Sequence, residues 1–269
     1  MLSKLLKHEF AATARFMWII YAAMAGLSLF ANLSIHMMDR PGVPGVIRAL
    51  MTLLLVLWVF SLIAGMIATV VLMVMRFHRN LLTDEGYLMF TLPTDVHRLV
   101  IAKLLTAVVW LVASMIMIAL CVCVAVMSTQ FLRDGMEALQ GILKVLSSRY
   151  AFSAVIIFAE LIVMLFLGVA GACLKFYSAM SIGYGFSGHK VLWSVIFYFA
   201  QSTVLRILGT VFMVAVANSP FWPNYDFLTT DGQMLWHLGV LAACGIELII
   251  GAVFYVLTTW NLKNRLNLS

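Results

Sequence analysis

The chain has 269 residues, of which 64% are apolar and only 10% charged, and its mean hydropathy is +1.06. Water-soluble domains carry roughly 45–50% apolar and about 25% charged residues, so a soluble fold of this length could not cover its own apolar surface, and lipid is the solvent for most of it. The net charge of +6 does not point to nucleic acid, because the basic residues sit at the ends of apolar segments, where they meet lipid phosphates.

Residues 1–15 form an element of their own. Leu2, Leu5, Leu6 and Phe10 recur at helical spacing, while Lys4, Lys7, His8, Ala11 and Arg15 fall on the other face. The pattern predicts an amphipathic helix lying in the membrane interface. A straight extension of the first span is the other reading. The apolar run that follows is too long for the core of a signal peptide and has no small-x-small cleavage site, so it is expected to be retained.

About 20 apolar residues cross the roughly 30 Å hydrocarbon core as a helix. Six such stretches follow within 16–269: Phe16–Ile35, Val46–Met75, Leu104–Met127, Phe152–Leu174, Val191–Ala217 and Leu235–Trp260. Open strands are excluded, since lipid-exposed backbone groups would go unpaired. Lys and Arg set the orientation. With the N-terminus inside, Lys4, Lys7, Arg15, Arg76, Arg79, Arg98, Lys103, Lys175, Lys190, Lys263 and Arg265 are cytoplasmic. Arg40, Arg48, Arg133, Lys144 and Arg149 are outside, a bias of about two to one that places both termini in the cytoplasm. The expected fold class is therefore all-α: a multi-pass cell-membrane protein of six transmembrane helices preceded by an interfacial helix.

The external connections are 36–45, 128–151 and 218–234. The second carries Phe131, Leu132, Met136, Leu139 and Leu143, enough for a short helix on the outer surface. The third is rich in Pro, Trp, Tyr and Phe, which suits either a segment dipping back into the membrane or an ordinary exposed loop. The four cysteines lie in or beside apolar segments without zinc-site spacing, and read as packing residues. His8, His36, His78, His97, His189 and His237 are scattered with no ligand spacing, so no metal site is expected.

The most informative polar stretch is the cytoplasmic connection 76–103. Thr83 or Asp84 can cap a short helix, and Asp84 and Glu85 suit its N-terminal dipole. Pro93 breaks it, and Thr94 or Asp95 can cap the next helix. Tyr87, Leu88, Met89, Phe90 and Leu92 exceed what an idle loop needs and read as an anchor for a protein partner.

Three charges lie inside spans: Glu160, Arg206 and Glu247. Each costs a few kcal/mol facing lipid, about 3 on insertion scales, so each should face protein or a cavity. Two readings fit them. They line a substrate path, or Arg206 is neutralised by Glu160 or Glu247 as a structural pair. Isolated carboxylates without a paired base give no catalytic constellation, which argues against an intramembrane protease. No internal repeat of the secondary-carrier kind is evident.

The run Asp84-Glu85-Gly86-Tyr87-Leu88, followed by Thr91-Leu92-Pro93-Thr94 and by Lys103, resembles the cytoplasmic coupling segment of type-2 ABC exporter permeases. The opening Met1-Leu-Ser-Lys-Leu-Leu-Lys-His-Glu-Phe is similar to the interfacial elbow helix of those proteins, in particular the small Firmicutes-type permeases. Ser181-Ile-Gly-Tyr-Gly-Phe-Ser-Gly-His-Lys190 resembles their second coupling loop, expected here over 175–190. The resemblance implies a permease subunit that works as a homodimer or heterodimer and binds two copies of a cytosolic ATPase. It implies coupling through Asp84, Glu85, Gly86, Tyr87, Leu88, Phe90 and Pro93, and through Gly183, Gly185, His189 and Lys190. Thr94-Asp95 departs from the commoner Val-Ser. No G-x-x-x-x-G-K-[ST] run occurs, so ATP and Mg would be held by the partner and this chain would carry no cofactor of its own. A sensor or immunity subunit that binds an ATPase without transporting, and an ATP-independent carrier, are the alternatives.

Overall fold

The computed structural model describes residues 2–38, 40, 42–83, 95–127, 129–186, 188–218 and 230–264, without the side chains of 129–133, 139, 142–154 and 230–235. All regular structure among them is helical. The helices are α1 (Leu2–Met38), α2 (Gly45–Leu82), α3 (Val96–Val126), α4 (Thr129–Gly183), α5 (Lys190–Ala217) and α6 (Thr230–Asn264). Six helices are long and apolar enough to cross a membrane, the pattern of a multi-pass membrane protein. The surface agrees with the composition: Trp18, Phe60, Phe158, Phe199, Met213 and Ile249 are all more than half exposed.

Helix boundaries run further than hydropathy suggests. The stretch expected as a separate interfacial helix over 1–15 is continuous with the first span, the extension reading. Neither Gly nor Pro occurs before Gly26, so nothing breaks the backbone ladder. The face carrying Leu2, Leu5, Leu6 and Phe10 is partly buried, and Glu9 and Thr13 between its turns are buried outright. Likewise, α4 begins within the expected external connection 128–151, so its short surface helix is the first part of a longer one. No Pro interrupts that stretch either. At the C-terminal end of α5, Asn218 closes the helix by donating from both its backbone N–H and its amide to the Val214 carbonyl. The rest of that connection, 219–229, lies outside the described residues.

The chain forms two compact units. The first comprises Met1–Met73 and Leu105–Ala154, the second Val74–Leu104 and Val155–Ser269. Within the first unit, Met24, Leu62 and Cys121 make a small core with Tyr21, Trp58 and Met117. Gly65 provides room for it, since a Cβ there would stand 2.4 Å from Met24 Sδ. Polar side chains bridge the helices around this core. Ser114 Oγ lies 2.8 Å from the Tyr21 hydroxyl and 3.0 Å from that of Thr69, joining α1, α2 and α3 at one atom. The Trp58 indole donates to Ser28 (3.0 Å) and the Trp110 indole to Thr13 (2.8 Å). Asn32 Nδ2 reaches the carbonyls of Val124, Ala125 and Met127 at 2.8–3.2 Å, satisfying groups that the end of α3 leaves without helical partners.

In a bilayer such hydroxyl and indole bonds replace those that water would supply. Removing the three-helix bridge with Ser114→Ala is expected to cost about 1 kcal/mol. It should read as a lower unfolding midpoint in mild detergent. Gly65→Ala should cost less, because only the flexible end of Met24 has to move.

Candidate functional site

The second unit holds both connections singled out in the sequence. Asp84, Glu85, Gly86, Tyr87, Leu88, Phe90 and Pro93 lie outside the described residues, but the helices that carry them do not. The Thr83 hydroxyl donates back to the Arg79 carbonyl and so serves the end of α2. Asp95 stands before the first residue of α3, accepts the Arg98 backbone N–H at 2.9 Å, and meets the Arg98 side chain at 3.6 Å.

Behind these two ends is a buried junction. Phe77 of α2 is fully buried and stacks on Tyr177 of α4, with centroids 3.9 Å apart and planes 7° from parallel. His78 hydrogen-bonds the Tyr184 hydroxyl, and the two rings meet edge to face at 5.1 Å. Lys103 of α3 is buried. With the Asn80 amide turned to donate to the Arg76 carbonyl, its oxygen accepts from Lys103 Nζ at 2.8 Å. Leu81, Leu82, Leu99 and Val100 are buried as well. The roots of the 84–94 segment are thus seated on α4 and on the turn that follows it.

That turn is shorter than the expected 175–190 loop, because α4 continues to Gly183 and α5 starts at Lys190. Lys175, Tyr177, Ser178 and Ser181 are therefore helical. Tyr184 and Gly185 donate backbone N–H bonds of 3.0 Å to Met180 and Ile182. Burial pushes the Tyr184 phenol above its ordinary pKa. His189 adopts a left-handed conformation (φ 47°, ψ 45°), uncommon for a side chain of its size, and its carbonyl accepts from Trp193. Phe186 stacks on Trp193 (5.0 Å), and Lys190 Nζ stands 6.0 Å from the Tyr184 ring centre. Gly183 lets α4 and α5 touch, since a Cβ on it would stand 2.4 Å from the Ser194 backbone nitrogen.

The intramembrane charges do not pair as expected. Glu160 is bonded to His237 of α6, Nδ1 lying 2.8 Å from the nearer carboxylate oxygen. His237 thus partners one of the two acids that the pairing reading offers to Arg206. Both residues stand near the start of their spans, Glu160 five residues after Val155 and His237 one after Trp236. Arg206 is exposed on α5 beside Gly209, Thr210 and Met213, and among the described residues neither it nor Glu247 has an ion-pair partner. The reason is the helical turn: Leu205, Leu208 and Phe212 face the cavity that Glu247 lines, and Arg206 points elsewhere. Among the described residues, no cluster of His, Cys, Asp or Glu could hold a metal ion. Cys121, Cys173 and Cys244 are buried and Cys123 is exposed, all as free thiols.

Gly183→Ala must move backbone, and is expected to destabilise by about 1–3 kcal/mol. Gly188→Ala, with open space around it, should be nearly neutral. Unfolding midpoints of the two purified variants check the contrast. Comparison with known proteins gives no family model, no curated protein and no solved structure that matches the chain.

Proposed function

We propose that this chain is the membrane-spanning permease subunit of an ATP-binding-cassette exporter, with both termini in the cytoplasm of a bacterial inner membrane. A separate cytosolic ATPase, present in two copies, would bind ATP and Mg and push on the 84–94 segment. The observation that carries the reading is the buried junction of Phe77, His78, Lys103, Tyr177 and Tyr184. An idle loop needs no such seat. A force on the segment passes through the ends of α2 and α3 into α4 and the 184–189 turn, so both elements that resemble coupling loops move as one. Rigid, close-packed side chains transmit displacement rather than absorb it.

The basic residues around the same end support a cytoplasmic placement. Arg206 supports a second permease. Its guanidinium is exposed about 24 Å of helix from Lys190 and about 16 Å from Ala217, a depth where lipid is a poor neighbour and another protein chain a good one. Gly185 and His189 are exposed at the 184–189 turn, where the ATPase would meet the chain a second time.

The test is affinity purification of the intact chain from membranes, followed by reconstitution. An ATP-hydrolysing polypeptide is expected to co-purify. Tyr87→Ala should cost about 2 kcal/mol of its affinity, as loss of an aromatic anchor does. Glu85→Ala and His78→Ala should leave the ATPase bound but uncouple hydrolysis from transport. Unchanged coupling in both Glu85→Ala and Tyr87→Ala overturns the assignment of the segment.

A further inference from the structure

Within the second unit, α4, α5 and α6 line a half-open cavity of about 650 Å³. Small-molecule sites span about 300–1,000 Å³, and are mostly apolar with a few placed polar groups. This one fits that description. Gly168, Gly171, Ala172 and Gly209 make the space, while Leu208 and Phe212 supply apolar wall.

One carboxylate looks into it. Glu247 is half-buried and has no ion-pair partner among the described residues. It lies about 16 Å of helix from Trp236 and about 25 Å from Asn264, far from either end of the span. Its position is built: Gly171 is buried directly against it, and a Cβ there would stand 3.1 Å from Glu247 Oε2. Lys175, one turn along α4, also lines the cavity, but its ammonium lies over the Tyr198 ring, 5.0 Å from the centre, and that ring is in turn stacked on Phe176. The aromatic face holds the cation of the chain aside. What remains open to an occupant is an apolar chamber with a single unanswered negative charge. In hydrocarbon such a charge calls for a positive partner.

We infer that the cavity between α4, α5 and α6 is a binding site for a lipophilic cation, an amine or onium group carried on an apolar body, with Glu247 as its counter-charge. As the transported substrate class this rests on the exporter reading, whereas binding itself needs no ATPase.

The intact chain in lipid nanodiscs is titrated with radiolabelled tetraphenylphosphonium, with empty nanodiscs as the background. Saturable binding is expected, weakened at least tenfold in Glu247→Gln and partly recovered in Glu247→Asp. Leu208→Trp, which fills the chamber but leaves the carboxylate, should weaken it as well, and gel filtration confirms that each variant is folded. Tetraphenylborate, the same shape with the opposite charge, should not compete. Equal binding by wild type and Glu247→Gln overturns the inference. So does the absence of saturable binding by the folded wild type, or a preference for the borate that is lost in Lys175→Gln. A failure to capture an ATPase would sink the exporter reading and leave this binding result standing.

Discussion

Hydrocarbon offers no hydrogen bonds, and most of what is specific in this structure follows from that. A serine or an indole on a helix inside the bilayer must bond to its own backbone or to a neighbouring helix. Both solutions occur. Ser28 and Thr69 donate to carbonyls one turn back, and the same hydroxyls also meet Trp58 and Ser114 on other helices. Residues that would decorate the surface of a soluble protein therefore sit at its fully buried positions: Ser28 and Thr69 have no accessible surface, while Phe60 and Ile249 face out. The apolar side chains choose the solvent, and the small polar ones choose which helices touch.

The same constraint acts with more force on charge. Glu160 meets it with His237, across from α4 to α6. Lys103 is buried and meets it with Asn80. Lys175 meets it with an aromatic face. Arg206 and Glu247 are answered by none of these means among the described residues, and both are placed where something from outside the chain can reach them. One is on an open helix face and the other is in a chamber cleared by glycine.

The junction at the basic end is of another kind. Phe77 on Tyr177 and His78 on Tyr184 join the end of α2 to α4 and to the turn that follows it, far along the chain. The close approach of Gly183 to Ser194 keeps the 184–189 turn tight. Together these contacts tie the ends of α2 and α3 to α4 and to the turn that follows it.

Composition and hydropathy alone determined the six apolar helices, their lipid-facing character and the positions of the intramembrane charges, because a 3.6-residue period and a 20-residue span are local properties of the chain. The single helix through 2–38 was legible only as one of two readings, since a period says nothing about whether one helix bends into the next. The ends of α4 were misjudged for a similar reason: hydropathy marks where lipid stops, while the backbone ladder continues until Gly183 ends it. Partner choice was decided by tertiary structure. Glu160 takes His237 and not Arg206, and Glu247 is left facing a cavity, because the rotation of α5 sets Leu205 and Leu208 along that cavity and Arg206 on another side of the helix. Rotation about a helix axis is set by packing against neighbours, and no window along the chain contains it.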